Sequence, residues 1–147
     1  MTVSFETLRD ADQQTVRGAV RSGAYQDHTA GLANGYLQAN LVIVEDIYAL
    51  DFMRYCQRNP KPCPVVGVSD TGNPMMTTLG QDIDIRTDVP SYYIYRYGQL
   101  TNNCTDIKHL WQDNMVAYAL GCSFTFEHAI LRAGFPLWHV ENNRTVP

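Results

Sequence analysis

Apolar residues recur along the chain with spacings that predict its first helix and its first strand. Val16 and Val20 lie four residues apart, which predicts a short helix over residues 14–21 that ends at Gly23. Residues 1–14 are polar, and we expect them to form a loosely held arm. The run Leu41–Val44 is continuously apolar and predicts a buried strand of the parallel type, normally covered on both faces.

Residues 46–58 carry the pattern of a helix with one apolar side. The side chains expected on that side are Ala49, Phe52, Met53 and Cys56. Three prolines in Asn59–Pro64 must end this helix, and we expect them to hold the chain in an extended path.

The middle of the chain has the signals of short strands and turns. Val65–Val68 predicts a strand, and Asp70–Pro74 predicts a turn. Tyr92–Tyr97 predicts another strand, with a two-residue turn at 98–99 and a return strand at 100–101.

The last third predicts two helices and a strand. Ile107, Leu110, Trp111, Met115 and Tyr118 fit one face of a helix that Gly121 ends. A second helix is expected over 124–133, ended by Gly134 and Pro136, and a short strand over 137–141.

These elements predict an α/β fold, and the length of 147 residues allows a real apolar core. We divide the chain into the arm at 1–14 and one domain over 15–147, within which 60–136 forms a candidate α+β subdomain.

Charge and cysteine content narrow the class of protein. The net charge of −4 gives no electrostatic reason to bind nucleic acid or an anionic membrane. The sequence contains no run of 18 apolar residues, so it predicts no membrane span. The four cysteines lack metal-site spacing, so we expect no metal. The N-terminus does not resemble a secretory signal, so we expect a cytoplasmic protein with four reduced thiols.

The stretch Gly121–Glu127 offers the best candidate for chemistry. Ser123 is placed to cap the second helix, and free N–H groups at a helix start suit a carboxylate. The same position lowers the pKa of a nearby thiol, which would activate Cys122. The alternative is a simple helix corner with a capping serine and a core cysteine.

Three further groups are weaker candidates. Arg86 can clamp a carboxylate, with Asp84 or Asp88 holding it in place or serving as a base; an exposed, ion-paired edge strand is the alternative. Asn59 stands in the proline-rich loop, which is otherwise a structural corner. His139 and Glu141, on one side of the final strand, form either an acid–base pair or a surface pair.

Five stretches together resemble one family. They are Gly31–Asn40, Asp51–Pro64, Asp84–Pro90, Thr105–Asp106 with Leu110–Trp111, and Gly121–Glu127. In this order they resemble the YcsI-type hydro-lyases, the family that includes D-glutamate cyclase. The sequence is identified as the N-terminal part of that family, because the family continues beyond the motif at 143–147. The resemblance implies a mixed-sheet, layered α/β core with a smaller α+β portion, truncated relative to the family. The chain also has Trp138 before His139, where the family commonly has arginine.

The resemblance implies a dehydrating cyclisation of D-glutamate, or a related small carboxylate, to 5-oxo-D-proline, without a cofactor. Candidate acid–base groups are Asp84, Asp88, Glu127 and His139. The candidates for binding substrate or an oxyanion are Asn59, Arg86, Ser123 and Phe124. Cys122 as a covalent nucleophile is compatible with this chemistry but not needed. We expect Arg86 and Ser123 to face a shared cleft.

Two alternatives to a cyclase remain open. One is a non-catalytic module that binds a small carboxylate. The other is an inactive, shortened family member that folds as an oligomer or with a partner. Missing strands would leave an open sheet edge and an apolar face, so we expect either a homo-oligomer or a piece of a longer product.

Overall fold

The computed structural model describes residues 2–142 and 144, and two apolar cores organise them. The motif at 143–147 lies, except for residue 144, outside the described residues. The helices are α1 (Phe5–Leu8), α2 (Gln13–Arg21), α3 (Asp46–Arg58), α4 (Phe124–Arg132) and α5 (Trp138–Glu141). The strands are β1 (Ala39–Glu45), β2 (Val65–Val68), β3 (Tyr92–Arg96), β4 (Gln99–Cys104) and β5 (Met115–Gly121). The predicted α/β class is therefore confirmed.

One core surrounds a three-stranded sheet in the order β1-β5-β2. Both neighbours pair with β5 antiparallel, with Ala39 opposite Gly121 and Glu45 opposite Met115. The expectation of a parallel strand at Leu41–Val44 is thus wrong. So is the helix expected to run to Gly121, because residues 115–121 form the central strand. A strand buried on both faces is apolar at every position and does not show the alternation of a half-buried strand.

The two faces of this sheet are covered by different parts of the chain. On one face, the hydroxyl of Tyr118 donates to the carbonyl oxygen of Ala49 in α3 at 2.6 Å, and its ring meets that of Phe52 edge-on. On the other face, Ala117 and Ala119 pack with Met76 and Ile85. Helix α3 therefore packs on the sheet, and its non-exposed positions are the predicted ones: Ala49, Phe52, Met53 and Cys56.

A separate two-stranded hairpin is formed by β3 and β4. Its turn residues are Tyr97 and Gly98, with φ of 49° and 75°. Two positive φ values are typical of the turn that matches strand twist. The turn therefore lies one residue before the predicted position, and the return strand runs on to Cys104.

The other core is helical and lies near the N-terminus. Leu8 of α1 is buried with Val16 and Val20 of α2, together with Tyr25 and Leu32. The backbone N–H of Val3 also donates to the carbonyl oxygen of Ala24 at 2.8 Å. The segment expected to be a loosely held arm thus contributes a buried leucine and one backbone bond to this core.

Two local predictions fail because the chain turns where an extended path was expected. In the proline-rich loop, the N–H of Cys63 donates to the carbonyl oxygen of Asn59 at 3.0 Å, so the segment folds back on itself. Residues 138–141 form α5 rather than a strand, with the N–H of Glu141 donating to the carbonyl oxygen of Leu137.

Candidate active site

The corner between β5 and α4 brings together three of the residues that the sequence singled out. Ser123 occupies the cap position of α4, but its backbone is already helical and its side chain makes no capping bond. Its hydroxyl instead donates to Oε1 of Glu127 at 2.5 Å. The predicted capping role is therefore wrong, and Ser123 holds a carboxylate one turn further along α4.

His139 completes this group from the following helix. Its Nε2 lies 3.0 Å from Oε2 of Glu127, and both side chains are more than four-fifths buried. Gly134, with φ of 84°, reverses the chain after α4, so that α5 returns beside it. The pairing of His139 with Glu141 on a strand is therefore wrong. Glu141 is exposed, and Glu127 is the partner.

Cys122 lies beside this group but in an environment that keeps its thiol protonated. Its Sγ donates to the carbonyl oxygen of Gln38 at 3.6 Å. Burial raises the pKa of Cys122, and the nearby charge of Glu127 raises it further. The backbone N–H groups of Phe124 and Thr125 act in the opposite direction, as expected at a helix start, but they do not prevail. The predicted lowering of this pKa is wrong.

A cleft of about 910 Å³ opens at this corner. Cys122 and Phe124 line it at the α4 start, and residues 39–43 of β1 and Tyr92–Arg96 of β3 form its long walls. Ser123, Glu127 and His139 are not part of the lining, but Cys122, which is, lies close enough to Glu127 to be affected by its charge. The arrangement places a buried carboxylate–imidazole pair next to a cavity that a small molecule can enter.

The acidic stretch at 84–90 is built as a set of internal ion pairs. Arg86 donates to both carboxylate oxygens of Asp84, from Nε at 2.9 Å and from Nη2 at 2.8 Å. The hydrogen bonds that Asp84 accepts from Arg86 hold the pKa of Asp84 below its usual value. Of the alternatives that the sequence left open, Asp84 therefore takes the role of holding Arg86.

Asp88 joins the two cores of the molecule. Its nearly buried carboxylate accepts from Nε and Nη2 of Arg21, both at 2.7 Å, and from Nη1 of Arg17 at 3.3 Å. Both arginines belong to α2, so Asp88 ties the helical core to the 82–88 loop. This geometry gives Asp88 a structural role.

The remaining candidates are not brought to the corner. Asn59 caps the end of α3, where its Nδ2 donates to the carbonyl oxygen of Tyr55 at 2.8 Å. Arg86 does not line the 910 Å³ cleft or a second cleft of about 430 Å³, and neither does Ser123. A cleft shared by Arg86 and Ser123, and substrate binding by Asn59, stay predictions.

Gln38 is a site residue that sequence reasoning missed. Its backbone N–H donates to Oγ1 of Thr125 at 3.0 Å, its carbonyl oxygen accepts from Cys122, and its side chain bonds Thr29 and Leu32. It therefore fixes the segment before β1 against the start of α4. The only signal in the sequence was its place in the stretch Gly31–Asn40, which indicated membership of a family but no role.

The described part of the chain offers neither a metal site nor a membrane-spanning helix. Within residues 2–142 and 144, no three His, Cys, Asp or Glu side chains are grouped in a way that would hold a metal ion. No helix among the same residues is long and apolar enough to cross a membrane.

Comparison with known proteins extends the picture beyond this corner. A family model described as D-glutamate cyclase matches residues 116–147, which include the whole Ser123–Glu127–His139 group. A protein of Ruegeria pomeroyi described as a "Putative hydro-lyase" is 65% identical over all 147 residues, which make up 54% of its length. Relatives with the same description from Dinoroseobacter shibae and Staphylococcus carnosus are 65% and 46% identical over 97% and 95% of this chain, and 48% and 53% of their own lengths. The chain thus spans about half the length of the curated relatives it matches, and it belongs to the hydro-lyase family of D-glutamate cyclase.

Proposed function

We propose that this chain carries the acid–base groups of a carbon–oxygen hydro-lyase that acts on a small carboxylate, with D-glutamate as the first candidate. The observation that carries the proposal is the hydrogen-bonded group Ser123–Glu127–His139 beside the cleft. The names of the relatives support the reaction class, and the family model adds the candidate substrate.

The proposed reaction needs one base, one acid and donors for a developing negative charge. The ammonium group of glutamate loses one proton, attacks its own side-chain carboxyl carbon to form a C–N bond, and then loses a second proton; both protons end on the departing oxygen. A C–O bond then breaks, and the departing oxygen leaves as water. Ring closure is intramolecular, so positioning supplies much of the acceleration and no cofactor is required in principle.

The geometry favours Glu127 as the base and His139 as the acid. Glu127 is a buried carboxylate without an arginine partner among the described residues, whereas Asp84 and Asp88 are both bonded to guanidinium groups. His139 contacts the same carboxylate, so a proton taken up by Glu127 can be passed to His139. Neither side chain lines the cleft, so we propose that one water carries protons between this pair and the substrate. Ser123 holds Glu127 in place. Cys122 and Phe124 form the wall nearest the substrate.

The decisive experiment tests substrate and chirality together. Purified 147-residue chain is incubated with D-glutamate, L-glutamate and related hydroxy acids, and mass spectrometry follows the loss of one water. Dehydration of one of them supports the hydro-lyase, and selectivity for D-glutamate supports the cyclase. Binding without any dehydration would instead favour the non-catalytic carboxylate-binding module.

The proposal also covers the cellular location and the oligomeric state of the protein. We propose a cytoplasmic location, where its four unbridged cysteines stay reduced. We also propose a homo-oligomer, since large apolar side chains on α3, and from α4 to α5, are exposed in the single chain.

A further inference from the structure

The long walls of the 910 Å³ cleft are the free edges of two strands. Five consecutive residues of β1, 39–43, line it, and so do five consecutive residues of β3, Tyr92–Arg96. Successive side chains of a strand point to opposite faces, so five neighbours line one cavity only where the strand presents its edge. The cleft is therefore bounded by backbone as well as by side chains.

Neither edge has a partner within residues 2–142 and 144. β1 stands at the end of the order β1-β5-β2, and β3 pairs only with β4 on its other side. Unpaired N–H and C=O groups along a strand edge are a ready template for another strand. The space between them is also partly apolar, because Ile94, Ile107 and Leu110 contribute to its lining.

We propose that this cleft is the seat of an extended segment that pairs with the free edge of β1. The segment would come from the part of the family's longer chain that this sequence does not match. Cys122 and Phe124, at the start of α4, would remain open to a small substrate.

Two observations favour this occupant. The relatives match this chain along its whole length yet are about twice as long, so each has residues left over to supply such a segment. Residues of β1 and β3 line the same cleft, and its volume of about 910 Å³ suits a single extended segment better than a second folded copy.

The test supplies the segment in trans. The 147-residue chain is co-expressed with the unmatched part of the Ruegeria pomeroyi relative, and hydrogen exchange is compared with that of the chain alone. A one-to-one complex with slowed exchange in β1 and β3 supports the proposal. In a parallel arm that does not depend on the fragment folding, tiled peptides of about ten residues, the length of a long strand, are titrated onto the chain.

A pair of matched variants tests whether the segment binds at the free edge of β1. Asn40→Lys adds a charge to an exposed, cleft-lining position of β1, and Asn102→Lys makes the same change on exposed β4 outside the cleft. We expect the first to weaken association roughly tenfold and the second to leave it unchanged.

The proposal is overturned if neither the fragment nor any peptide binds. Protection that maps to α3 or α4, or a homodimer that protects β1, also overturns it. Water loss from glutamate is assayed separately, so failure of this proposal and failure of the hydro-lyase are distinguishable.

Discussion

At the scale of single residues, replacing a glutamate by neutral glutamine tests whether Glu127, unlike the exposed Glu141, takes part in catalysis. Glu127→Gln keeps the shape and one oxygen for Ser123 but removes the proton acceptor. If Glu127 is the base, kcat for the active substrate should fall by about 100-fold or more, the usual range for a lost general base. Glu141→Gln, on α5 but exposed, is the control and should retain activity. Equal activity of the two variants would remove Glu127 from the mechanism.

Cys122 gives a prediction that does not depend on turnover. Because burial raises its pKa, its thiolate forms only at a higher pH than that of an ordinary thiol. Alkylation by iodoacetamide, followed peptide by peptide in mass spectrometry, should therefore show Cys122 reacting slowly at neutral pH and faster only in alkaline solution. Rapid alkylation at pH 7 would show an activated thiol and restore the nucleophile hypothesis.

Asp84 predicts how stability changes in acid. Its folded pKa lies below the usual value of 3.8, because Arg86 is hydrogen-bonded to its ionised form. The stabilisation is therefore fully present above the unfolded pKa and is lost as pH falls through the folded value, below about pH 4. Asp84→Asn should lower the free energy of unfolding at neutral pH by about 1 kcal/mol and make its acid limb less steep. Urea titrations at several pH values measure both.

At the scale of elements, two glycines with nearly equal φ allow two costs of adding a side chain to be compared. One is the cost of a left-handed backbone, and the other is the cost of steric crowding. Gly72 and Gly98 have φ of 77° and 75°. A Cβ at Gly98 meets nothing within 4 Å, whereas one at Gly72 would stand 2.7 Å from the carbonyl oxygen of Asp113. Gly98→Ala should cost about 1 kcal/mol of stability from the left-handed conformation. Gly72→Ala should cost clearly more, as measured by denaturant unfolding, and equal losses would contradict the crowding.

The elements predicted well are those whose local pattern agrees with their tertiary setting. Helix α3 packs one side on the sheet, so its four non-exposed positions follow directly from the sequence. Strand β5 is enclosed by strands and covered on both faces, so residues 115–121 lack a period that distinguishes strand from helix. Short α5 has too few residues for any period.

The candidate site was predictable in its parts but not in its connections. Ser123 and Glu127 lie one helical turn apart, so their proximity follows from helix geometry. His139 reaches Glu127 only because the chain reverses at Gly134 and residues 138–141 form a helix. A pairing that depends on an incorrectly predicted element could not be found from the sequence.

At the scale of the whole molecule, ion pairs of a nearly buried carboxylate join the two cores. Asp88 links the loop beside the sheet core to Arg17 and Arg21 of the helical core. Such a nearly buried carboxylate stabilises the junction only while its partners are present. The free edges of β1 and β3, and the exposed apolar side chains of α3 and from α4 to α5, are then surfaces available for assembly.

Self-association of the chain depends on which apolar surface stays exposed. Both faces of the sheet are covered, so the apolar sheet face expected from the sequence is not the surface available. On α3, however, Ile47, Tyr48, Leu50 and Tyr55 are each more than half exposed and occupy the side opposite to the packed one.

We therefore predict that the purified chain forms a dimer or larger oligomer through this side of α3, burying more than about 1,000 Å² in total. Light scattering across a concentration series measures the mass. Leu50→Lys should weaken the association roughly tenfold, because it places a charge in an apolar contact. Leu100→Lys is the matched control, since Leu100 is similarly exposed but lies on the hairpin. A chain that stays monomeric at every concentration would contradict the prediction. An oligomer insensitive to Leu50→Lys would instead move the contact to the exposed side chains between α4 and α5.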